Sequence, residues 1–208
     1  LLDEDFTFDS YSDTEVLLTS YIAWGIDAIK KLNGIFAFAI YDEDKQQVFL
    51  ARDPMGVKPL FYSKKGSTLV FGSEIKTVLA HPSVKAEIDR DGLTELFALG
   101  PAVSPGSAVY KGINEIAPAN CMLITNDNMK VWEYWKVEAR ELNETTDESV
   151  SHVRQLLIDA IRRQLVGDVP VCTFLSGGLD SSAISAIAAE DFKEKGKRLT
   201  TYSIDYEG

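Results

Sequence analysis

The chain has 208 residues, 45% of them hydrophobic, and its 32 acidic residues outnumber its 21 basic residues to give a net charge of −11. This negative field repels nucleic acids and anionic membranes, and no apolar run approaches the length of a membrane span, so neither nucleic acid nor a membrane is an expected partner. The two cysteines lack CxxC or CxxH spacing and are accompanied by only two histidines, so a zinc site is not expected, whereas a reducing, cytoplasmic compartment is.

The chain opens with a predicted helix over residues 12–24, "SDTEVLLTSYIAW". Ser12 and Glu15 have the S-x-x-E spacing of a capping box, and Gly25 is a stop signal. The apolar runs "GIFAFAIYD" and "VFLARD" follow, separated by polar residues. Because these runs are too continuous for half-exposed strands, they predict two strands of a sheet that is covered on both faces.

Two further hairpins and two helices are predicted before residue 135. The first hairpin is "LFYSKKGSTLVFGS", which turns at Lys-Lys-Gly-Ser. Helices are predicted in "EIKTVLA" and in "DRDGLTELFAL", the second started by Asp89 and closed by Gly100. The last hairpin, "NCMLITNDNMKVWEYW", turns at Asn-Asp-Asn. Residues 1–135 are therefore predicted to form a strand-rich unit with a few helices.

The composition changes after residue 135. Residues 136–147 are polar and charged, which is typical of an interdomain linker. Thr145 and Glu148 form a second capping box, and the order that follows is helix, strand, loop, helix and strand. This order contains one βαβ unit, which predicts a parallel sheet and the start of a doubly wound α/β domain over residues 148–208. The apolar face of the first helix comprises Val153, Leu156, Leu157, Ala160, Ile161 and Leu165.

The loop "SGGLDSS", residues 176–182, joins the predicted strand to the second helix. We call it the Ser-Gly-Gly loop. Backbone N–H groups and the positive end of a helix meet there, which suits phosphate, and Gly177 and Gly178 let the backbone approach a ligand closely. Asp180 would coordinate Mg²⁺ or cap the helix, and an ordinary strand-to-helix turn is the alternative for the glycines and Asp180 alone. The loop fits neither the P-loop nor the dinucleotide-binding pattern. Hydroxyl donors to phosphate would come from Ser176, Ser181 and Ser182.

The Ser-Gly-Gly loop resembles the pyrophosphate-binding loop of the ATP pyrophosphatases, enzymes that adenylate a carboxyl or carbonyl oxygen of their substrate and release pyrophosphate. Upstream, "SDTEVLL", "LNGIFAFAIYD", "ARDPMGVKPLFY" and "FGSEIK" resemble, in that order, the glutaminase domain of glutamine-hydrolysing asparagine synthetases. On these four motifs, their order and the loop, the chain is identified as a member of that family. The resemblance implies the C-terminal part of an N-terminal-nucleophile hydrolase-type glutaminase, with antiparallel sheets and helices, over residues 1–135. It is followed over residues 148–208 by the N-terminal part of a doubly wound parallel-sheet ATP pyrophosphatase domain.

The resemblance also implies site residues. Asp13 would hold the α-amino group of glutamine, although a favourable interaction with the helix dipole explains an aspartate there equally well. For Arg52 and Asp53 we expect a structural ion pair in the turn before Pro54. Asp180 would lie near Mg²⁺. Leu175 and Ile204, at the ends of the two predicted strands, would contact the nucleotide, and core packing is the alternative for both. The ATP and pyrophosphate site implied in this way comprises Leu175, Ser176, Gly177, Gly178, Leu179, Asp180, Ser181, Ser182 and Ile204.

The activity implied is that of the family. Glutamine is hydrolysed, its ammonia passes to a second site, and there aspartate and ATP–Mg²⁺ form β-aspartyl-AMP, from which ammonia displaces AMP to give asparagine. Two alternatives stay open: a related enzyme that amidates or cyclises another carboxylate, and a non-catalytic, truncated module.

The catalytic nucleophile of this family is an N-terminal cysteine, whereas this chain starts with Leu1. Cys121 and Cys172 fall within predicted strands, where a cysteine is normally a buried, small hydrophobe. We therefore expect an interior piece of a longer enzyme that catalyses neither half-reaction alone. Exposed sheet edges are expected to favour aggregation or self-association, which leaves a homodimer open.

Overall fold

The computed structural model describes residues 1, 6–100, 102–126 and 128–205. It divides into two compact units, Leu1–Glu138 and Ala139–Gly208. Residues 134–145 contain neither helix nor strand. Within the described ranges, no helix is long and apolar enough to cross a membrane.

The helices of the first unit are α1 (Asp13–Trp24), α2 (Ile75–Leu79) and α3 (Arg90–Leu99), with a 3-10 helix (Gly25–Lys31) directly after α1. The predicted caps of α3 are confirmed: the Asp89 carboxylate accepts the Gly92 N–H at 3.0 Å, and Gly100 follows with φ +64°.

The predicted capping box at the start of α1 is wrong, although the helix itself is confirmed. The Ser12 hydroxyl accepts the Thr14 N–H at 3.2 Å, but Glu15 does not reach back to the Ser12 N–H. The chain before Ser12 turns toward the helix, so the Glu15 carboxylate accepts the N–H groups of Asp9 and Ser10, each at 2.8 Å. Two backbone donors and the Ser10 hydroxyl offer more hydrogen bonds than the single Ser12 N–H, which is bound instead by the Ser10 hydroxyl oxygen.

Two antiparallel sheets form the rest of the first unit. The first has the strand order β1-β2-β6-β7 and the second β4-β3-β5, and all three predicted hairpins are present. In the last hairpin, Asp127 of the predicted Asn-Asp-Asn turn lies outside the described residues. The strands are β1 (Ala37–Asp42), β2 (Gln47–Arg52), β3 (Phe61–Lys65), β4 (Thr68–Gly72), β5 (Asn114–Glu115), β6 (Asn120–Ile124) and β7 (Met129–Glu133).

The first sheet is covered on both faces, as expected. Consecutive residues of β2 point to opposite faces, and both Phe49 and Leu50 are fully buried. Phe49 packs with Tyr21 of α1 and with Ile29 of the 3-10 helix. Leu50 packs with Leu60, which directly precedes β3, and with Ile116, which directly follows β5. β1 is only half-buried because it is the edge strand.

The second sheet is covered in turn by α2. Val78 of α2 is fully buried and packs with Phe61 of β3 and Val70 of β4. The layer order of the first unit is therefore helix, sheet, sheet, helix. Antiparallel sheets with helices are the architecture expected for residues 1–135 from the sequence.

The second unit contains α4 (Thr146–Gln164), β8 (Cys172–Phe174), α5 (Leu179–Glu194) and β9 (Thr200–Tyr202). β8 and β9 pair in parallel across α5, which confirms the βαβ unit. The capping box of α4 is present: Thr145 and Glu148 exchange hydrogen bonds between side chain and backbone. Of the predicted apolar face of α4, Ile161 is buried, whereas Val153, Leu156 and Leu157 are exposed.

Candidate functional site

The Ser-Gly-Gly loop begins where β8 ends. Leu175 is held there by two hydrogen bonds: its N–H donates to the Tyr202 carbonyl at 2.8 Å, and its carbonyl accepts from the Ser203 hydroxyl at 2.7 Å. Farther back, the hydroxyl oxygens of Thr173 and Ser185 lie 2.9 Å apart in a buried contact that ties β8 to α5. No sequence pattern indicates this Thr–Ser pair, because its two residues are 12 positions apart and of common type. The loop therefore starts from a rigid base.

The loop itself turns at Gly177, whose φ of +81° is unfavourable for residues with a side chain. Ser181 closes the turn. Its hydroxyl oxygen accepts the Ser176 N–H at 3.3 Å, lies 3.0 Å from the Ser176 hydroxyl and donates to the Gly178 carbonyl at 3.2 Å.

A run of five backbone N–H groups, from Gly177 to Ser181, has no acceptor among the described residues. Three of them open α5, whose N-cap residue Gly178 provides no side-chain cap. Gly177, Gly178, Leu179 and Asp180 are exposed, and the positive end of the helix dipole lies at the start of α5. Such an arrangement binds an anion, and phosphate oxygens match it well.

The other predicted residues of this site are placed around the loop. Asp180 is exposed in the first turn of α5. Leu175 is half-buried, whereas Leu179 and Ile204 are 91% and 76% exposed. Within the described residues, no group of three or more His, Cys, Asp or Glu side chains could hold a metal ion.

Asp13 lies in the first unit, exposed in the first turn of α1. The segment in front of it is held by Glu15, which accepts the N–H groups of Asp9 and Ser10. These hydrogen bonds, led by that of the Ser10 hydroxyl, lower the pKa of Glu15 below its ordinary value. Sequence reasoning treated Glu15 only as a capping residue and missed this role.

The expected ion pair between Arg52 and Asp53 is wrong, because each side chain has better partners. Arg52 is buried and pairs with Glu115 at 2.9 Å, while donating to the carbonyls of Gly56, Lys58 and Ile116, each at 2.8 Å. Because Arg52 and Glu115 are 63 positions apart in the chain, no local sequence pattern predicts this ion pair. The Asp53 carboxylate instead accepts three backbone N–H groups at 3.0–3.1 Å, those of Met55, Val57 and Lys58. The structural role expected for this turn is nonetheless consistent with these contacts.

The two cysteines differ from each other. Cys121 is fully buried in β6, as expected, and burial raises the pKa of its thiol to about 12. Cys172 is exposed in β8, so the expectation of a buried, inert cysteine is wrong there. A short two-stranded sheet leaves one face of β8 open within the described part of the second unit.

The sequence pattern of the glutamine amidotransferase domain family matches residues 1–135, and this chain belongs to that family. Over residues 152–208, which include the Ser-Gly-Gly loop, the chain matches the asparagine synthase family. The two matches fall on the antiparallel unit and on the βαβ unit, respectively.

Curated relatives carry both parts. The chain is 57% identical to asparagine synthetase (glutamine-hydrolyzing) 3 of Bacillus subtilis, over 96% of this chain and 33% of that protein. It is 31% identical to Amidase chry2 of Gibberella zeae, over 93% of this chain and 29% of that protein. The chain thus spans about a third of the length of these relatives.

Among solved structures, the glutamine phosphoribosylpyrophosphate amidotransferase of B. subtilis, in complex with ADP and GMP, aligns with a TM-score of 0.43. The identity is 19%, over 97% of this chain and 41% of that chain. A similarity this low supports no argument about function.

Proposed function

We propose that this chain belongs to an asparagine synthetase that uses ATP and takes its nitrogen from glutamine. The observation that carries the proposal is the run of five N–H groups from Gly177 to Ser181 that have no acceptor in the described part of the chain. The run lies in the segment that matches the asparagine synthase family. An anion held there would be the pyrophosphate portion of ATP.

In the proposed reaction, an oxygen of the aspartate side-chain carboxylate attacks the α-phosphorus of ATP, and the bond to the β-phosphate oxygen breaks. Ammonia then attacks the carbonyl carbon of β-aspartyl-AMP, AMP leaves, and loss of a proton gives asparagine. The loop would stabilise the charge that develops on the departing pyrophosphate. One preorganised donor of this kind contributes about 3 kcal/mol to such stabilisation.

Asp180 is the residue that would hold Mg²⁺. In nucleotide sites Mg²⁺ is usually bound by one or two protein carboxylates together with phosphate oxygens and water. A single exposed carboxylate beside a phosphate-binding loop fits that ligand set. Leu175 and Ile204, at the carboxyl ends of two adjacent parallel strands, would border the nucleotide. Leu179 adds apolar surface at the start of α5.

In the first unit, Asp13 would bind the α-amino group of glutamine. Its support is that the carboxylate is exposed and that Glu15 fixes the segment leading to it. ATP as a substrate and an exposed thiol at Cys172 are both compatible with a reducing, cytoplasmic compartment.

A second candidate function is amidation of a carboxylate other than that of aspartate. It is favoured by the 31% identity to Amidase chry2, whose name does not specify aspartate. Pyrophosphate release, measured with aspartate and with a panel of other carboxylic acids on the enzyme that contains this sequence, decides between the two. Release that depends on another acid and not on aspartate would favour the second candidate.

Binding of pyrophosphate with Mg²⁺, measured by calorimetry on the chain and on Gly178→Ala, tests the loop. Gly178 has φ −76°, and a Cβ there would meet only the Ser176 hydroxyl oxygen, at 3.8 Å, so the variant is expected to fold. The added methyl group would stand among the N–H donors. Loss of one or two charge-assisted hydrogen bonds is expected to weaken binding about tenfold or more.

Gly167→Ala is the matched control. It adds the same methyl group in the same unit, where the Cβ would meet Val171 at 3.5 Å and the Val169 carbonyl at 3.6 Å, both ordinary contacts. This control is expected to bind as the unchanged chain does. No binding by the unchanged chain, or equal binding by all three proteins, would refute the proposed site.

A further inference from the structure

The three serines of the Ser-Gly-Gly loop have different surroundings. Ser182 makes no side-chain hydrogen bond within the described residues, and Ser176 bonds through its hydroxyl only to Ser181. The Ser181 hydroxyl, in contrast, contacts three groups. The three hydroxyl groups therefore differ in how many hydrogen bonds they could still make to a ligand.

A count of donors and lone pairs shows how unequal they are. A hydroxyl has one proton to donate and two lone pairs that accept. The Ser181 hydroxyl oxygen accepts the Ser176 N–H. Its proton goes either to the Gly178 carbonyl, with the Ser176 hydroxyl then donating to Ser181, or to the Ser176 hydroxyl oxygen. In either arrangement the Ser181 proton is used inside the loop, and none is left for a phosphate oxygen. Rotation of the Ser176 hydroxyl would free its proton at the loss of one bond, and that of Ser182 is free already.

We propose that Ser181 is a positioning residue, which shapes the phosphate-binding loop without contacting the phosphate through its hydroxyl. This inference rests on the proposed function of the loop. Ser181 connects the first residue of the turn, Ser176, to Gly178 at its end, and so holds Gly177 at φ +81°. In that conformation the five N–H groups from Gly177 to Ser181 follow one another into the start of α5 without an acceptor among the described residues.

The other hydrogen bonds of the strand and helix do not replace those that the Ser181 hydroxyl makes to Ser176 and Gly178. The Thr173–Ser185 contact and the two bonds of Leu175 all lie before the turn or beyond it. Without the Ser181 hydroxyl, the Ser182 N–H would still bind the Gly178 carbonyl at 3.1 Å, but the Ser176 N–H would lose its acceptor and Ser176 and Gly177 would be ordered mainly by the ligand. Binding would then carry the entropic cost of that ordering, which preorganisation removes.

The experiment compares Ser181→Ala, Ser181→Thr and Ser182→Ala in the 208-residue chain. Amide hydrogen exchange of Ser176 is measured by NMR without ligand, and affinity for pyrophosphate with Mg²⁺ is measured by calorimetry. We expect Ser181→Ala to speed exchange of the Ser176 amide and to weaken binding about tenfold, the usual size of one lost hydrogen bond. Ser181→Thr keeps the hydroxyl and is expected to restore both. Ser182→Ala is expected to weaken binding and leave the Ser176 amide unchanged.

The outcomes separate this inference from the proposed function. If the unchanged chain binds pyrophosphate and Ser181→Ala binds equally well, the positioning role of Ser181 is refuted, whereas the proposed pyrophosphate site is supported. If Ser181→Ala weakens binding but the Ser176 amide exchanges as before, Ser181 contacts the ligand and the inference is wrong. If the unchanged chain binds no pyrophosphate, the proposed function fails, and the role assigned to Ser181 fails with it. Circular dichroism of each variant establishes that the helices are intact.

Discussion

Replacement of Gly56 by alanine tests how tightly the turn after β2 is packed. Gly56 has φ +65°, and its carbonyl accepts a hydrogen bond from the buried Arg52 side chain at 2.8 Å. A Cβ at this position would lie 2.7 Å from Cγ of Pro118 and 3.2 Å from Cζ of Arg52. Neither neighbour can move freely, because Pro118 is a ring and the guanidinium of Arg52 is held by Glu115 and three carbonyls.

The magnitude follows from two contributions. A residue with a side chain at positive φ costs about 1–2 kcal/mol, and the reduced entropy of the unfolded chain returns about 0.4–1 kcal/mol. Overpacking against neighbours that cannot relax costs a further 1–3 kcal/mol or so. We therefore expect Gly56→Ala to lower the free energy of unfolding by about 2–4 kcal/mol.

Gly66→Ala isolates the packing contribution. Gly66, in the β3–β4 turn, has φ +59° and no atom within 4 Å of a Cβ placed there. This control has the backbone cost alone, so it is expected to lower the free energy of unfolding by only about 1 kcal/mol.

Urea denaturation followed by tryptophan fluorescence is the appropriate assay. All three tryptophans, Trp24, Trp132 and Trp135, belong to the first unit, so the signal reports that unit alone. A shift of the midpoint at constant slope reports the change in stability. Equal destabilisation by the two substitutions would refute the packing described for the turn at Gly56.

Three further predictions concern charge, thiols and surface. Because hydrogen bonding holds the pKa of Glu15 in the folded chain below its ordinary value, Glu15 stabilises the fold above the unfolded pKa and loses this contribution as pH falls through the folded pKa. Melting temperatures measured from pH 7 downward should therefore fall less steeply in Glu15→Gln than in the unchanged chain, and parallel curves would contradict the Glu15 network. With a thiol reagent, Cys172 should react at once and Cys121 only after unfolding, since one is exposed and the other is buried with its pKa raised to about 12; two thiols titrated in the native chain would contradict the burial of Cys121. Leu156, exposed on the apolar face of α4, should promote self-association, so light scattering should give a lower average mass for Leu156→Lys, and an unchanged mass would contradict this role.

Two sequences of the same capping-box pattern show where prediction from sequence succeeds and where it fails. Thr145 and Glu148 form the box, whereas Ser12 and Glu15 do not. Nothing within the two four-residue patterns separates them. The difference comes from the residues that precede α1, because Asp9 and Ser10 turn back and present two N–H groups to Glu15.

Signals that depend on immediate neighbours were sufficient elsewhere. Asp89 and Gly100 predicted the two ends of α3, and the alternation of strand, glycine-rich loop, helix and strand predicted the parallel pair β8–β9. The two ends of α3 follow from backbone geometry within a few residues, since a carboxylate reaches a nearby N–H and a glycine adopts positive φ. The parallel pair follows from a crossover between Phe174 and Thr200 that is too long for a hairpin.

The sequence by itself determined most of the helices and strands, their order and the Ser-Gly-Gly loop, because helix caps, turn residues and apolar patterns act over short distances along the chain. It did not predict the 3-10 helix or the short strand β5. Only the tertiary structure decided which partners the polar groups take. Arg52 pairs with Glu115, and Asp53 binds backbone N–H groups, since folding brings these groups together and burial requires that each be satisfied. Only the tertiary structure likewise shows that the Ser181 hydroxyl is hydrogen-bonded within the loop whereas that of Ser182 is not, because donors and lone pairs can be counted only when their positions are known.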